Sequence, residues 1–475
     1  MINITKEQFK NLKKEGAVFP VVLEANGDEV TPINIFYSLK SSNRCLLESV
    51  FSDKQGGRYS FIGAEPYMTI TSNKDNITIR NDKDEIENKK GKVLEVLKKL
   101  LKVKYNPLGS KIPFSGGAIG YVGYDVIRQY ERIPDNNVKE IDIPEAALTF
   151  YKIVICYDHY RHKIYYIYNV QKEDIDYDEI YIKLNTLSKA IENFEGKFPL
   201  PASENKEFSS NLTEKEYCAM VEKAKEYIRK GDIFQVVLSQ RLSVKTNDNP
   251  FEIYRRLRSA NPSPYLFYIE FDGFQVVGSS PESLVSVQEG VVTTNPIAGT
   301  RPRGKTNEED TTLKEELLKD EKEVAEHVML VDLGRNDVGK ISEFGSVKVN
   351  RFMEVDYYSH VMHIVSTVSG KLKEGLDCFD ALTACLPAGT VSGAPKIRAM
   401  EIIDELEKVK RGLYSGSLGY FSYDGNMDVC IAIRTLIIKD NYAYVQAGAG
   451  IVYDSVPEME YKETLNKARA LREVI

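Results

Sequence analysis

Residues 296–304 read Pro-Ile-Ala-Gly-Thr-Arg-Pro-Arg-Gly and follow the β-branched run Val-Val-Thr-Thr. The run predicts a strand, and the proline and glycine residues predict that this strand ends in a structured turn. Gly299 allows backbone to approach a ligand closely, and the hydroxyl group of Thr300 both donates and accepts hydrogen bonds. Arg301 and Arg303 carry guanidinium groups that fit carboxylates. The stretch predicts either an anion-binding turn or an ordinary basic surface loop.

The order of these residues resembles the Pro-Ile-x-Gly-Thr-Arg signature of the chorismate-utilising enzymes. Alanine at the third place, Ala298, is similar to the anthranilate synthase branch of that family. Relatives that make aminodeoxychorismate, isochorismate or salicylate usually carry a lysine there, which acts as a nucleophile or base beside C2 of chorismate. Because Ala298 has no amine, the resemblance implies that ammonia is imported as the nucleophile.

Length and composition limit the classes of function that the chain could have. The chain has 475 residues, which predicts two domains or one elaborated double-layer domain. The net charge of −7 argues against broad attraction to nucleic acid, although a small anionic substrate fits a pocket with local positive charge. No apolar run approaches the roughly 20 residues that span a bilayer, and the N-terminus lacks a signal-peptide core. We expect a cytoplasmic protein with no membrane segment and no nucleic-acid partner.

Several motifs predict structural roles rather than catalytic or ligand-binding ones. The six cysteines include no Cys-x-x-Cys pair, so we expect reduced core residues rather than zinc ligands or disulfides. Gly116–Gly123 lacks dinucleotide-loop spacing and predicts a strand, whereas Asn88–Lys104 has the apolar spacing of an amphipathic helix. His159 and His162 have no acidic partner at ligand spacing and are expected to face solvent in a turn.

A polar, proline-containing segment from Glu195 to Ser210 predicts a linker. It divides the chain into domains 1–205 and 206–475. A helix follows, capped at Thr213 with Glu216 placed as in a capping box. The resemblance implies an α+β fold of two large, mainly antiparallel β-sheets packed as a sandwich with helices outside. It also implies an N-terminal domain with part of an inhibitor site and a C-terminal chorismate-binding domain.

Two pairs of glutamates carry the metal hypothesis. Glu323 and Glu326, three residues apart, share one face of a predicted helix, and Glu460 and Glu463 repeat the spacing near the C-terminus. Such pairs on two helices could bracket a hard cation such as magnesium. The alternative for the first pair is a capping box that begins at Asp320. The predicted helices are Asp320–Asn336 and Pro457–Val474.

Both pairs match the magnesium-binding positions of the family. The resemblance implies that Glu326 and Glu463 bind Mg²⁺ directly, while Glu323 and Glu460 support the ion through water or act in proton transfer. The ion would take the ring carboxylate of chorismate.

A second anion site is expected for the enolpyruvyl carboxylate of chorismate. The segment from Asp428 to Leu436 predicts a strand that directs Arg434 from one face, and a buried arginine needs an anion. Another strand, from Tyr442 to Ile451, ends in glycines whose N–H groups could form an anion-binding nest or mark a bulge. Tyr414 matches a substrate-binding tyrosine of the family or is a core residue. The resemblance assigns the enolpyruvyl end to Tyr414, Arg434, Gly448, Ala449 and Gly450.

Two further motifs match the family. Pro387–Lys396 lacks the ending of a phosphate loop and matches Pro-x-Gly-Thr-x-x-Gly-x-Pro-Lys, which places Thr390 against the substrate. In the alternating strand after Ser359, His360 and His363 face opposite sides. His363 matches the catalytic histidine and would assist hydroxyl loss or orient a group that does so, whereas His360 is expected to be structural.

An inhibitor site is expected in two pieces. Leu-Leu-Glu-Ser, which ends in Glu48 and Ser49, looks like the element with which the family holds tryptophan, and Asn-Pro-Ser-Pro-Tyr-Leu is similar to its second half. The second half contributes Pro264, Tyr265 and Leu266. The alternative for Glu48 and Ser49 is an edge strand with polar residues facing water.

The resemblance implies that the chain converts chorismate and ammonia to anthranilate and pyruvate, the first step of tryptophan biosynthesis, under feedback inhibition by tryptophan. The sequence has no Gly-x-Cys-x-Gly elbow, so ammonia would come from a separate glutaminase subunit in a heterotetramer of two large and two small chains. The alternatives are aminodeoxychorismate synthase and a non-catalytic, tryptophan-binding regulatory protein.

Overall fold

The structure is a computed structural model that describes residues 2–49, 57–172, 175–196, 206–358 and 361–475. Its α-helices cover one face of each of two β-sheet layers. Of two short 3-10 helices, Tyr124–Gln129 joins two strands and Gly389–Val391 joins a helix to a strand. The α-helices are α1 (Lys6–Lys14), α2 (Pro32–Ser38), α3 (Val93–Leu101), α4 (Tyr177–Glu192), α5 (Glu214–Arg229), α6 (Pro250–Ala260), α7 (Asn307–Lys319), α8 (Glu321–Ile341), α9 (Cys378–Cys385), α10 (Lys396–Leu406) and α11 (Pro457–Arg472).

The described residues contain 22 strands in one hydrogen-bonded network. They are β1 (Phe19–Asn26), β2 (Cys45–Glu48), β3 (Tyr59–Asn73), β4 (Asn76–Asn81), β5 (Ile86–Lys90), β6 (Gly117–Val122), β7 (Ala146–Asp158), β8 (Lys163–Val170), β9 (Ser209–Ser210), β10 (Gln235–Lys245), β11 (Tyr265–Phe271), β12 (Phe274–Ser280), β13 (Ser283–Gln288), β14 (Val291–Thr294), β15 (Ile297–Pro302), β16 (Lys348–Tyr357), β17 (Val361–Lys371), β18 (Gly393–Ala394), β19 (Ser417–Ser422), β20 (Met427–Ile431), β21 (Thr435–Lys439) and β22 (Tyr442–Ile451).

Two long strands divide this network into two antiparallel sheets. β3 and β7 pair along their whole length, with a register shift between Pro66 and Met68. The first half of β3 and the second half of β7 belong to sheet I, with strand order β1-β8-β7-β3-β2-β11-β12-β21-β22-β10-β9. Their other halves belong to sheet II, with order β5-β4-β3-β7-β6-β19-β20-β13-β14-β17-β16, and β15 continues the position of β14 beside β17.

The two sheets pack face to face, as expected for the α+β sandwich. One buried cluster joins Phe61 and Phe267 of sheet I to Tyr121 and Leu418 of sheet II. A second cluster covers the outer face of sheet I with α1, α2, α4, α6 and α11, and a third covers sheet II with α3, α8 and α9. Because apolar residues on both faces of each sheet are covered, the hydrophobic effect stabilises the sandwich and its outer helices together.

Strands from both sides of the expected domain boundary share these sheets. Leu47 of β2 pairs with Phe267 of β11, and Tyr121 of β6 pairs with Leu418 of β19. Residues 197–205 of the predicted linker lie outside the described part of the chain. The division into domains 1–205 and 206–475 stays a prediction.

Local sequence signals placed most of these elements correctly. Thr213 and Glu216 form the predicted capping box of α5, and Asp320 caps α8 by accepting hydrogen bonds from its first turn. The helix expected over residues 88–104 is shorter, because residues 86–90 pair with β4 and Gly91, with a φ of 140°, separates them from α3.

The structure also places the two histidines and the six cysteines for which the sequence predicted structural roles. His162 is exposed in a turn, but His159 is half-buried, with Nε2 2.7 Å from the hydroxyl group of Ser60, so the expectation that it faces solvent was wrong. All six cysteines are free thiols, five of them buried and Cys218 partly exposed. Across the described ranges, no helix is long and apolar enough to cross a membrane.

Candidate active site

The expected turn after β14 is strand β15, which pairs with β17 and bulges between Ala298 and Thr300. Gly299 is the extra residue of the bulge, with a φ of 68° that favours glycine. A Cβ atom added there would lie 3.3 Å from Oε2 of Glu323. The bulge therefore lets the first turn of α8 approach this strand closely.

His363 of β17 lies directly opposite Thr300. Its Nδ1 atom lies 2.9 Å from the carbonyl oxygen of Gly299 and 3.1 Å from the Thr300 hydroxyl group. Since a carbonyl oxygen only accepts, Nδ1 carries the proton and Nε2 keeps the lone pair. Burial lowers the pKa of His363, so the imidazole is neutral at neutral pH. His360, its expected structural neighbour, lies outside the described residues.

The two arginines of β15 and its flank bind protein carboxylates. Arg301 donates to Asp320 at 2.7 Å and lies 3.5 Å from Glu323, while Arg303 binds Asp310 at 2.6 Å. They hold the segment onto α7 and the start of α8. Both guanidinium groups do bind carboxylates, as their chemistry predicted, but the carboxylates belong to the protein, and the sequence does not reveal which ones pack beside them.

The predicted glutamate pairs lie on α8 and α11. Burial raises the pKa of Glu323, and the charge of Glu326 raises it further. Burial likewise raises the pKa of Glu460, and the charge of Glu463 adds to the effect. The charge of Lys322, at the start of α8, opposes the shift at Glu460 and so connects the two helices electrostatically. Each helix therefore presents two carboxyl groups close enough to interact with one another.

These carboxylates fit a hard cation held by few protein ligands. Glu326 accepts a hydrogen bond from Gln235 at 3.3 Å, and Glu463 pairs with Lys467 at 2.6 Å. Among the residues that the structure describes, no three His, Cys, Asp or Glu side chains are grouped closely enough to enclose a metal ion. Magnesium typically takes one or two carboxylates and completes its shell with water and substrate oxygens. The carboxylate oxygen donors suit that ion.

The opposite wall is the paired β10 and β22. A Cβ atom at Gly450 would lie 2.5 Å from Nε2 of Gln235, and one at Gly448 would lie 2.8 Å from the Tyr414 hydroxyl group. Ala449 is buried opposite Leu238. Both glycines thus leave room for neighbouring polar groups, which any larger residue would displace.

The glycines do not form the expected nest. Gly448 and Gly450 lie in extended strand and lack the left-handed φ that a nest needs. β21 pairs with β22 only as far as Val445, and no strand of the described chain continues on that side. Only alternate residues of 446–451 point away from β10, and the Gly448 carbonyl among them already accepts from Lys467. The backbone groups left for a ligand on this edge are therefore those of the other outward-facing residues.

Arg434 lies in the turn between β20 and β21, with a φ of 50°. The expectation of one continuous strand was wrong, because the chain bends between β20 of sheet II and β21 of sheet I, where Ser279 donates its N–H to the Arg434 carbonyl. Burial lowers the pKa of Arg434, and the nearby Tyr414 and Glu463 oppose this. Its Nη1 donates to the carbonyl of Lys467, and within the described ranges no carboxylate pairs with it directly. Such a half-buried cation is suited to an anionic ligand.

Tyr414 is buried, which raises the pKa of its phenol to about 12, so it remains a hydrogen-bond donor. Thr390 lies in the 3-10 helix before β18 and lines a small cavity of about 40 Å³. Its hydroxyl oxygen is buried without a hydrogen bond of ordinary geometry to the described residues. Both predicted substrate contacts thus present hydroxyl groups within the protein interior.

Sequence reasoning missed Glu282, which lines the same small cavity as Thr390. Burial raises the pKa of Glu282 to about 8, although the nearby Thr390 hydroxyl group and the charge of Lys467 lower it. The carboxyl group is therefore protonated at neutral pH and can donate a proton. The available signal was a glutamate in Ser-Pro-Glu between two apolar strands, which predicts a buried acid.

Lys467 of α11 was also missed. Its ammonium group lies 2.6 Å from Glu463 and 3.0 Å from the carbonyl oxygen of Gly448. It therefore joins the carboxylates of α11 to the glycine edge of β22. The spacing of four residues from Glu463 indicates an ion pair on the helix surface, but the contact with Gly448 depends on tertiary packing.

The five residues expected at an inhibitor site line one larger cavity. It measures about 820 Å³ and lies between β2 and β11 of sheet I and β19 and β20 of sheet II. Pairing of Glu48 with Leu266 brings the two sequence segments together. The five predicted residues among those that line the cavity are Glu48, Ser49, Pro264, Tyr265 and Leu266.

Glu48 is only 5% exposed, so the alternative of a water-facing edge strand is wrong. Its strand lies between β3 and β11 rather than at an edge. The carboxylate accepts hydrogen bonds from Tyr254 at 2.5 Å and from Arg258 at 2.8 Å. A second buried acid, Asp428, accepts from Tyr265 at 2.9 Å, and burial raises its pKa to about 6. The cavity therefore combines apolar walls with two carboxyl groups.

Comparison with known proteins identifies the family of this chain. A family model described as chorismate binding enzyme matches residues 47–473. The chain is 49% identical to anthranilate synthase component 1 of Acetivibrio thermocellus, over 99% of this chain and 98% of that protein. It is 45% identical to anthranilate synthase component 1 of Aquifex aeolicus, over 100% and 98% of the two chains.

A solved structure agrees with these relatives. The crystal structure of anthranilate synthase component I from Streptococcus pneumoniae is 42% identical and superimposes with a TM-score of 0.80, covering 94% of this chain and 98% of that one. The chain therefore belongs to the chorismate binding enzyme family and, within it, to the anthranilate synthase component 1 proteins.

Proposed function

We propose that the protein converts chorismate and ammonia to anthranilate and pyruvate, as the first step of tryptophan biosynthesis. The observation that carries the proposal is a half-buried Arg434 that pairs with no carboxylate of the described residues and lies near Glu463 of α11, in a chain of the anthranilate synthase component 1 family. Chorismate has two carboxylates, and this site offers a guanidinium group for one and a cation-binding set for the other.

The enolpyruvyl carboxylate is assigned to Arg434, with the Tyr414 hydroxyl group as a further donor and with Gly448, Ala449 and Gly450 lining the adjoining part of β22. Gly299 and Thr300 would lie beside the ring, where the β15 bulge brings backbone close to Glu323. Thr390 would contact the substrate from the side of Glu282. Fixing both ends of the substrate orients C2 for attack.

The ring carboxylate is assigned to Mg²⁺ held by Glu326 and Glu463, with Glu323 and Glu460 bound through water or active in proton transfer. When bound, the ion would act as a Lewis acid that withdraws negative charge from the ring carboxylate. The support is the pair of carboxyl groups on each helix, where burial first and then the neighbouring glutamate raise the pKa of Glu323 and of Glu460.

Two groups of the chain are suited to proton transfer. In the first step ammonia forms a bond to C2, both double bonds of the ring diene shift by one position and the C4–O bond breaks. Glu282, protonated at neutral pH, would donate the proton with which the hydroxyl group leaves as water. Neutral His363, with a lone pair on Nε2, would accept a proton rather than assist hydroxyl loss as an acid.

In the second step a base removes the C2 proton, the C3–O bond breaks and pyruvate leaves from an aromatic ring. His363 and Glu323 are the candidates for that base. Ala298 offers no amine that could compete with ammonia at C2.

The wider assignments follow from the same proposal. Ammonia would come from a glutaminase subunit in a heterotetramer of two large and two small chains, in the cytoplasm. Tryptophan would occupy the 820 Å³ cavity and inhibit the enzyme. In support, the relatives are named component 1, and the cavity wall at Asp356 lies opposite His363 in the β16–β17 pair.

A direct test mixes the purified chain with chorismate, Mg²⁺ and ammonium at alkaline pH and follows products by fluorescence and mass, with and without tryptophan. Anthranilate and pyruvate are expected, and their formation should fall when tryptophan is added. An accumulated amino-chorismate would favour aminodeoxychorismate synthase, and absence of product would favour a regulatory binding protein.

A further inference from the structure

His327 lies on α8 between the predicted metal carboxylates and the sheet. It follows Glu326 directly and is four residues after Glu323, so it shares one face of the helix with Glu323. Its side chain is completely buried. The imidazole therefore faces the protein interior at the helical turn that carries both carboxylates.

The polar partner of His327 is Ser366 on β17. The Ser366 hydroxyl oxygen lies 2.6 Å from His327 Nε2, and Nδ1 of His327 has no hydrogen-bond partner in the described part of the chain. The contact with Ser366 is thus the polar connection that the structure describes between this imidazole and the sheet. It fixes the rotation of the α8 turn against β17.

Ser366 connects four segments of the site wall. Its hydroxyl oxygen also accepts the N–H of Met353 on β16 at 2.9 Å, and its own N–H donates to the carbonyl of Pro296 at 3.1 Å. Pro296 immediately precedes β15, and His363 lies three residues before Ser366. One buried serine therefore ties the carboxylate helix to the strands that carry Gly299 and His363.

We infer that His327 and Ser366 form a positioning pair that holds the α8 carboxylates in register with His363. Neither residue is expected to touch the substrate. Removing residues that orient metal ligands typically lowers metal affinity or activity by about 10- to 100-fold, and this pair would act on Glu323 and Glu326 through the backbone of α8, since His327 bonds Ser366. This inference rests on the proposed function, because the position of α8 affects the reaction only if Glu323 and Glu326 take part in it.

The test compares Ser366→Ala, His327→Leu and His327→Gln with the wild-type chain. His327→Gln keeps a polar amide at the reach of Nε2, whereas His327→Leu removes the hydrogen bond at similar volume. Ser188→Ala is the matched control, because it removes a buried serine hydroxyl group that donates to Glu192 on α4, remote from the site.

Three quantities are measured: kcat and KM for chorismate with ammonia, Mn²⁺ binding by electron paramagnetic resonance, and the melting temperature. We expect Ser366→Ala and His327→Leu to lower kcat and Mn²⁺ affinity by about 10- to 100-fold with little change in KM. His327→Gln should recover most of the loss, and Ser188→Ala should change only the melting temperature.

If Ser366→Ala lowers the melting temperature as Ser188→Ala does and leaves kcat and Mn²⁺ affinity unchanged, the positioning role is wrong. Equal loss in His327→Gln and His327→Leu would also contradict it. Ser366→Ala keeps the test valid if the His327 variants do not fold. If the wild-type chain makes no anthranilate, the proposed function fails, whereas the Mn²⁺ comparison still decides whether the pair orients the carboxylates.

Discussion

The Nδ1 atom of His363 lies 2.9 Å from the carbonyl oxygen of Gly299, the residue that forms the bulge of β15. This contact assigns the proton to Nδ1 and leaves Nε2 as the basic nitrogen. The residue that lets α8 approach the strand therefore also sets the tautomer of the histidine.

Replacing His363 with alanine is expected to lower kcat by about 100- to 10,000-fold, because a positioned acid or base contributes that much. Burial lowers the pKa of His363 below its usual value of 6.5. Its protonation should therefore reduce wild-type activity only below about pH 6.5, and the variant should lack that loss. The measurement is kcat at fixed free ammonia from pH 5.5 to 8. His162→Ala, in an exposed turn, is the control, and a variant with normal kcat would exclude His363 from catalysis.

Deprotonation of Glu282 is expected to lower the activity of the enzyme at alkaline pH. Its pKa of about 8 means that it loses the donating proton as pH rises through that value. Thr390 lowers this pKa, so Thr390→Val should move the alkaline loss to higher pH, while Thr390→Ser keeps it in place. Glu282→Gln should lower kcat by about 100- to 10,000-fold. Rates are compared with the wild type at equal free ammonia, and identical profiles for Thr390→Val and Thr390→Ser would contradict the assignment.

Removing the proposed metal ligands is expected to abolish the Mg²⁺-dependent reaction. Glu326→Gln and Glu463→Gln should each raise the Mg²⁺ concentration for half-activation by more than the about 10- to 100-fold typical of outer-sphere residues. The same loss should follow treatment of the wild type with a chelator and be reversed by Mg²⁺. Glu321→Gln, exposed in the same helical turn as Glu323, is the control. Unaltered turnover in the Glu326→Gln, Glu463→Gln double variant would refute the site.

Glu48→Gln should weaken tryptophan inhibition by about 10- to 100-fold, because hydrogen bonds to a charged group are lost in the cavity. Basal kcat should change little, since Glu48 lies in the larger cavity and not beside Glu282. Glu252→Gln is the matched control, because Glu252 is a buried glutamate that also accepts from a tyrosine, Tyr37, and an arginine. Inhibition curves at fixed chorismate measure the effect, and equal inhibition of both variants would place tryptophan elsewhere.

Ala298→Lys should shift the products from anthranilate towards an amino-chorismate that keeps its enolpyruvyl arm. The new amine would lie on β15 beside C2, and displacing the attacking group by about 1 Å can cost about 100-fold in rate. Ala298→Met supplies similar bulk without the amine. Products are separated by mass, and identical product ratios for the two variants would show that the amine has no influence at this position.

Periodic and capping signals could be read from the sequence because they act within a few residues. The capping box of Thr213 and Glu216 and the two glutamate pairs depend on helical spacing, and all lie on helices as expected. The strand that ends near Ile451 also follows from its own alternation.

Contacts between distant segments could not be read in this way. Arg301 meets Asp320 and Arg434 lies in a left-handed turn because of how neighbouring strands and helices pack. Glu282 owes its raised pKa to burial, opposed by Thr390 and by Lys467, which is 185 positions further along the chain than Glu282. Such burial arises only when the two sheets are assembled.

By itself, the sequence determined the family resemblance, the helices that carry Glu323, Glu326, Glu460 and Glu463, and the absence of an amine at Ala298. Those properties reside in side-chain chemistry and local spacing. Tertiary structure alone decided the tautomer of His363, the pairing of Arg301, the protonated state of Glu282 and the connection of His327 to Ser366. The physical reason is that charge, hydrogen bonding and desolvation depend on which distant residues come within a few ångströms.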